Sequence, residues 1–141
     1  MHLLPPGHPA REHAEPYGDS GEMVLDSKWL SEEKLLLPDP SLRLYENVIS
    51  ILNQAGITSF KDSYTSLYME TLVYLASAGV GVAIVSSRYV QRQKLIQLGD
   101  LYRIPESYGA FWEVSLATLK DAYLSRAANK FIEEYTEYLG V

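Results

Sequence analysis

Two short segments carry the polar side chains that could bind a small anion, and each leads from a predicted strand into a predicted helix. The residues are Pro38, Asp39, Pro40, Ser41 and Arg43 in the first segment and Tyr64, Thr65 and Ser66 in the second. The first turn of a helix has backbone N–H groups without intrahelical partners, and open α/β sheets bind small ligands beyond the carboxyl ends of their strands. Arg43 could add a two-point contact to a carboxylate. We therefore predict that these residues contact a small anionic ligand.

The alternative interpretation of the same segments is that they serve only the fold. Asp39 and Ser66 are residue types that cap helix N-termini, so each could simply accept hydrogen bonds from its own helix. The sequence leaves both interpretations open.

Catalytic and metal chemistry is disfavoured by the distribution of nucleophiles and ligands. The three histidines, His2, His8 and His13, all fall in an N-terminal stretch that we predict to be a loop, and the chain has no cysteine. A catalytic triad would therefore have to borrow a histidine from that loop. A metal site at His8 and His13 would need a further ligand. We expect no enzymatic activity, no metal and no cofactor.

The run from Thr71 to Val85 contains Gly79 and Gly81 and invites comparison with a dinucleotide-binding loop. That fingerprint follows a strand, opens a helix and has a third glycine. Here the glycines follow a helix-like segment and precede a β-branched run, and the third position is Ile84. We predict instead that Gly79 ends a helix in a left-handed conformation and that Gly81 allows a close chain reversal.

Hydrophobic periodicity predicts strands that alternate with helices, which is typical of an α/β fold with a mixed or mainly parallel sheet. We predict helices at 41–55, 66–78 and about 124–139, a polar connector or short helix at 86–93, strands at 35–37, 60–64, 82–85, 95–98 and 111–119, and possible strands at 2–4 and 23–25. The stretch from 11 to 22 is predicted to be a surface loop.

The composition is that of a globular domain with an acidic surface. The chain has 141 residues, of which 47% are hydrophobic, and its formal net charge is −6. Nucleic acids and membrane surfaces favour basic partners, so we expect neither to bind this chain directly. No apolar run approaches the roughly 20 residues of a membrane span, and the N-terminus does not look like a signal peptide. We expect a cytoplasmic location.

Several motifs occur in the order and spacing of one known family. They are the helix–Gly-x-Gly–strand element at 71–85, Gly7 to Ala10 (Gly-His-Pro-Ala), Lys34 to Pro38 (Lys-Leu-Leu-Leu-Pro), the amphipathic helix from Arg43 to the Ala-Gly-Ile at 55–57, and Lys120 to Ser125 (Lys-Asp-Ala-Tyr-Leu-Ser) before the last helix. Together these motifs resemble the effector-binding domain of LysR-type transcriptional regulators over roughly residues 7 to 139.

This resemblance implies a Rossmann-like lobe of the type 2 periplasmic-binding-protein-like fold, with a mixed sheet flanked by helices. It implies that residues 1–9 are a crossover segment, that 10–118 form the second lobe, and that 119–141 form a C-terminal helix returning to a first lobe that this chain lacks. It also implies that the two polar segments line an interlobe cleft for a small-molecule effector, and that DNA is bound only through a domain absent from this chain. The apolar stripe of the C-terminal helix would be an exposed patch if it did not fold back, so we predict that the chain forms a homo-oligomer through it.

Two other functional classes remain as alternatives. A lobe of a type 2 solute-binding protein would share the fold, but such a protein is exported and should have a signal peptide. A small α/β enzyme would need a catalytic group or a phosphate-binding loop, and we find neither in the predicted folded part.

Overall fold

The computed structural model describes residues 1–92, 99–111 and 115–139. The chain divides into two units, Met1–Phe111 and Trp112–Val141. The strands are β1 (His2–Leu4), β2 (Glu15–Pro16), β3 (Met23–Val24), β4 (Leu35–Pro38), β5 (Ser63–Ser66), β6 (Val82–Ile84) and β7 (Asp100–Tyr102). The α-helices are α1 (Arg43–Gln54), α2 (Met69–Ser77), α3 (Ser87–Arg92) and α4 (Arg126–Leu139), and short 3₁₀ helices span Pro9–His13, Ser27–Leu30 and Glu106–Tyr108.

The first unit is built on a five-stranded sheet with the order β5-β4-β6-β1-β7. Strand β4 pairs in parallel with β5 and β6, whereas β1 runs antiparallel to β6 and β7. The sheet is therefore mixed, as predicted, and β4, β5 and β6 end at the same edge. Strands β2 and β3 form a separate hairpin. The possible strand predicted at 23–25 is confirmed by β3, whereas the surface loop predicted at 11–22 contains the short strand β2.

Strand β4 is apolar throughout because both faces of the sheet are covered. Side chains alternate between the two faces of a strand, so Leu35 and Leu37 pack in the cluster under α1, while Leu36 packs in the cluster under α2. The helix residues that complete these clusters are Val48, Ile51 and Leu52 from α1 and Leu72, Val73 and Ala76 from α2. A continuous apolar run of this kind is the expected pattern for a strand buried on both faces.

The two glycines between α2 and β6 behave as predicted. Gly79 has a φ of +79°, a left-handed conformation in which glycine carries no steric penalty. At Gly81 a Cβ atom would lie 2.4 Å from the backbone oxygen of Lys34 and 3.2 Å from the Leu36 side chain. Gly81 therefore lets the chain pass close to β4 as it enters the sheet.

We predict that Gly81→Ala destabilises the protein more than Gly79→Ala does, measured as the free energy of unfolding in urea. The new methyl group at position 81 meets a backbone carbonyl that cannot move away independently, and we expect a loss of about 3 kcal/mol or more. At position 79 there is open space, so the cost is the conformational penalty alone, about 1 kcal/mol. Equal losses in the two variants would contradict this account of Gly81.

Three strand predictions differ from the structure or extend beyond what it describes. Strand β5 spans Ser63–Ser66 rather than 60–64, because the pairing with β4 continues to the register Pro38↔Ser66. The predicted strand at 95–98 lies outside the described residues, and Asp100, which we expected to follow that strand, begins β7. The predicted strand at 111–119 is wrong over residues 115–119, which form no β ladder. Alternation of side chains favours a strand only where a neighbouring strand is available to pair with it.

The possible strand predicted at 2–4 is confirmed by β1, so the assignment of all three histidines to a loop is wrong for His2. This residue belongs to β1, in the centre of the sheet, and its side chain is fully buried. Its Nε2 atom lies 3.0 Å from the hydroxyl oxygen of Ser27, which is also buried. Burial lowers the pKa of His2 from 6.5 to about 3, because a charged imidazole cannot be solvated there.

We predict that His2 makes the fold sensitive to acid. Its folded pKa lies below its unfolded pKa, so the unfolded chain binds the proton more readily, and stability is lost as pH falls below about 6.5 towards 3. From a pKa of 6.5 in the unfolded chain and about 3 in the folded one, this residue should account for a loss of about 3 kcal/mol between pH 7 and pH 4. Denaturant unfolding measured across this range should show the loss.

The matched variants for this measurement are His2→Leu and His13→Gln. The first should flatten the dependence of unfolding free energy on pH, whatever its effect on stability at pH 7. The second removes an exposed histidine and should leave the dependence unchanged. A His2→Leu protein with the full slope of the wild type would contradict the assignment.

The second unit contains α4, whose predicted start and amphipathic pattern are confirmed. The hydroxyl of Ser125 accepts a hydrogen bond from the backbone N–H of Ala128 at 3.1 Å, as expected of an N-cap. The rings of Phe131 and Tyr135 stack with centroids 5.7 Å apart. Phe131 and Tyr138 are nevertheless 62% and 74% exposed, so much of the apolar side of this helix lies open.

Candidate functional site

The parallel pairing of β4 with β5 brings the two predicted polar segments together. The register places Pro38 opposite Ser66 at the end of both strands. One residue further on, the backbone N–H of Asp39 donates to the carbonyl of Ser66 at 2.9 Å. The segments are at least 21 positions apart in sequence (from 43 to 64), yet they form one continuous edge. We call this edge, made of residues 38–43 and 64–68, the β4–β5 edge.

Asp39 holds the turn that leads into α1. One oxygen of its carboxylate accepts hydrogen bonds from the Ser41 hydroxyl at 2.6 Å and from the Ser41 backbone N–H at 2.9 Å. These bonds, the hydroxyl first, lower the pKa of Asp39, because they stabilise its charged form. The carboxylate therefore stays ionised and is directed at Ser41.

The two helix starts at this edge have no side-chain caps. The N-cap residues are Leu42 for α1 and Tyr68 for α2, and neither provides a side-chain hydrogen bond. Ser66 accepts a hydrogen bond from the Tyr68 N–H at 3.1 Å, one residue before α2 begins. The capping interpretation thus holds for the approach to each helix. In the first turn of α1 the Tyr45 N–H donates to the Leu42 carbonyl at 2.9 Å, which leaves the N–H groups of Arg43 and Leu44 ahead of it for water or a ligand.

Arg43 is the first residue of α1, and its side chain is exposed. Among the described residues it forms no ion pair. The helix dipole disfavours a cation at the N-terminus of a helix. An anion bound there would interact favourably with the dipole and with the Arg43 guanidinium. The electrostatics at Arg43 are therefore suited to an anionic partner.

The register also divides the second segment between the two faces of the sheet. Thr65 is opposite Leu37 and lies on the α1 side, whereas Tyr64 and Ser66 are opposite Leu36 and Pro38 and lie on the α2 side. All the residues predicted for the site thus lie along the β4–β5 edge. Leu67 and Tyr68 also lie at this edge, 56% and 71% exposed, and were not among the residues predicted for the site. Their signal was the presence of two apolar residues in a connection that is usually polar.

The histidines outside the core have structural partners. The Nδ1 atom of His8 accepts the backbone N–H of Ala10 at 3.2 Å, and its Nε2 lies 3.4 Å from a carboxylate oxygen of Glu33. His13 stacks on Trp29 with ring centroids 3.7 Å apart. The described part of the chain holds no cluster of three residues that could bind a metal ion. The buried pair His2 and Ser27 has no access to solvent and cannot reach a substrate.

Within residues 1–92, 99–111 and 115–139, none of the helices combines the length and the apolar character that crossing a lipid bilayer would require.

Comparison with known families identifies the chain. A family model described as the LysR substrate binding domain matches residues 3–140. A search of curated proteins found no match. The chain belongs to the LysR substrate binding domain family. The resemblance of its motifs to this family is thereby confirmed, and so is the type 2 periplasmic-binding-protein-like fold, with its mixed sheet flanked by helices.

Proposed function

We propose that this chain senses an effector for a LysR-type transcriptional regulator by binding a small anionic metabolite at the β4–β5 edge. Domains of this family are regulatory, and membership supports an effector-binding role in general. The observation that carries the finer proposal is the junction of the two polar segments, where the Asp39 N–H donates to the Ser66 carbonyl. This junction joins the turns that lead into α1 and α2, two uncapped helices on opposite faces of the sheet.

Binding at this edge would rest on backbone donors and one guanidinium. The first-turn N–H groups of α1 and α2 would donate to a carboxylate, as helix N-termini do in many anion sites. The hydroxyls of Thr65 and Ser66 could add hydrogen bonds, and Arg43 could form a two-point contact. The Ser41 hydroxyl donates to Asp39, so its contribution would be to hold the turn. Pro38 and Pro40 limit the conformations of the connecting turn, which keeps the donors in place.

We place this edge in one wall of an interlobe cleft. In this proposal residues 10–118 form the second lobe, 1–9 the crossover into it, and 119–141 the helix that returns to the first lobe. The net charge of −6 disfavours direct contact between these residues and DNA. We further infer that the chain is cytoplasmic and acts without catalysis or a cofactor. The family match favours this proposal over a lobe of a solute-binding protein.

The proposal predicts that simple carboxylates bind at the β4–β5 edge. We would titrate the isotope-labelled chain with succinate and follow the backbone amides by NMR. The amides of 39–45 and 66–72 should shift together, with an affinity in the millimolar range because one carboxylate with few contacts gains only about 4 kcal/mol. Arg43→Ala should weaken binding by about threefold to tenfold.

Arg126→Ala is the matched control, because Arg126 is likewise an exposed arginine at the first position of a helix. It should leave the affinity for succinate unchanged. Shifts spread evenly over the surface, or equal losses in the two variants, would mean that succinate associates through general electrostatics. The anion site would then have to be abandoned.

We also propose that the chain self-associates through the open apolar side of α4. Exposed aromatic residues such as Phe131 and Tyr138 are costly to leave in water and favour burial against another surface. Sedimentation velocity at about 50 µM should show a dimer or a larger species, and Phe131→Glu should shift it towards the monomer by placing a charge in the contact. Glu137→Gln, on the polar side, is the control. A wild-type monomer at this concentration would refute the proposal.

A further inference from the structure

The hairpin of β2 and β3 is held at the end of β7 by a small set of polar contacts. We infer that residues 15–24, which we call the strap, open and close as a unit while the five-stranded sheet stays folded, and that the 3₁₀ helix Glu106–Tyr108 loosens when the strap opens. The strap is independent of the proposed effector site, because none of its residues belongs to the β4–β5 edge.

The backbone of Arg103 holds the second strand of the strap. Arg103 forms a parallel bridge with Val24, one residue after β7 ends at Tyr102. Its N–H donates to the Met23 carbonyl at 2.8 Å, and its carbonyl accepts the N–H of Leu25, the residue after the strap, at 3.0 Å. The strap is thus joined to the sheet at the single residue that extends β7.

The side chain of Arg103 holds both ends of the hairpin turn. Its Nη1 atom donates to the Glu22 carboxylate at 2.6 Å, and its guanidinium lies over the Tyr17 ring, with Cζ 4.1 Å from the ring centroid. Tyr17 follows β2 and Glu22 precedes β3, and the Tyr17 N–H donates to the Glu22 carbonyl at 2.9 Å. Arg103 is therefore the residue that fastens the strap.

Apolar burial contributes little to this attachment. All residues of 15–21 except Tyr17 are exposed, and Met23 is only partly buried where it packs against the cluster that contains Leu25. An exposed ion pair and a cation–π contact each stabilise a structure weakly. Leu25 itself is fully buried, so the fixed part of the unit begins there. A segment with so few buried apolar contacts opens at a lower free energy than the core of the sheet does.

The strap also holds the 3₁₀ helix that follows β7. The Tyr17 hydroxyl donates to the Glu106 carboxylate, at the start of this helix. Two other contacts lie outside the strap, since the Tyr108 hydroxyl donates to Asp26 at 2.8 Å and Ile104 is buried under α1. Opening the strap removes the first contact and leaves the other two. The start of the helix is therefore loosened while its end stays in place.

Hydrogen exchange of the backbone amides, followed by NMR on the whole chain, tests the strap. The amides of Tyr17 and Arg103 donate to carbonyls of the strap, so they should be protected about 100-fold less than the amides of β4. Glu22→Gln removes the charge that pairs with Arg103 and should speed the exchange of these two amides by about threefold to tenfold. The Gly109 amide, which donates to the Glu106 carbonyl at 3.0 Å, should speed up with them.

Glu32→Gln is the matched control. Glu32 forms an exposed ion pair with Lys61 at 3.4 Å, ahead of β5, so the same change of side chain there should leave the amides of the strap and of Gly109 unaffected. In both variants the amides of β4 should keep the protection of the wild type.

Three results would overturn the inference. Strap amides as protected as those of β4 would mean that the hairpin opens only when the whole sheet unfolds. Strap exchange unchanged in Glu22→Gln, or accelerated equally in β4, would mean that the contact with Arg103 does not fasten a separate strap. Faster exchange in the strap without any change at Gly109 would show that the 3₁₀ helix does not respond to its opening.

Discussion

The pairing of β4 with its two parallel neighbours is the constraint on which the rest of the first unit depends. Its three leucines are buried on alternating faces, so a single strand anchors α1 on one side and α2 on the other. The same pairing determines where β5 and β6 end. Because the register runs to Pro38↔Ser66, the turns into α1 and α2 begin beside each other. Hydrophobic burial in the sheet thus positions polar groups at its edge.

The polar edge illustrates how capping and binding can share one segment. Asp39 and Ser66 use their side chains to shape the turns, as the capping interpretation suggested, but they do so before the helices begin. The helix starts themselves are left to Leu42 and Tyr68, which cannot accept hydrogen bonds from the first-turn N–H groups in the way that Ser, Thr, Asp or Asn would. Capping residues at these two positions would make α1 and α2 more stable, so helix stability alone does not explain Leu42 and Tyr68.

Much of this fold could be predicted from the sequence, because its longer elements have a clear period. The helices α1 and α2 and the glycines after them lie close to their predicted positions, since their apolar residues and Gly79 depend on local geometry. The predictions that failed depend on which strands pair with one another in the sheet. The burial of His2 could not be predicted, because a three-residue strand beside two prolines has no period of its own, and its neighbours lie about 80 and 100 positions away. Leu67 and Tyr68 were not predicted for the site because residues at a site were expected to be polar.

The antiparallel insertion of β1 between β6 and β7 has a consequence for the order of folding. His2 and Leu4 are made before the rest of the sheet, whereas their partners Ile84 and Asp100 belong to its last two strands in chain order. During synthesis the apolar residues Leu3 and Leu4 remain unpaired until β6 and β7 have been made. Contacts between residues this far apart in sequence are also slow to form. The parallel strands β4, β5 and β6 can assemble first, so the N-terminal residues would join the sheet in one of the closing steps. Until then β7 has no strand to continue, and the sheet ends at β6.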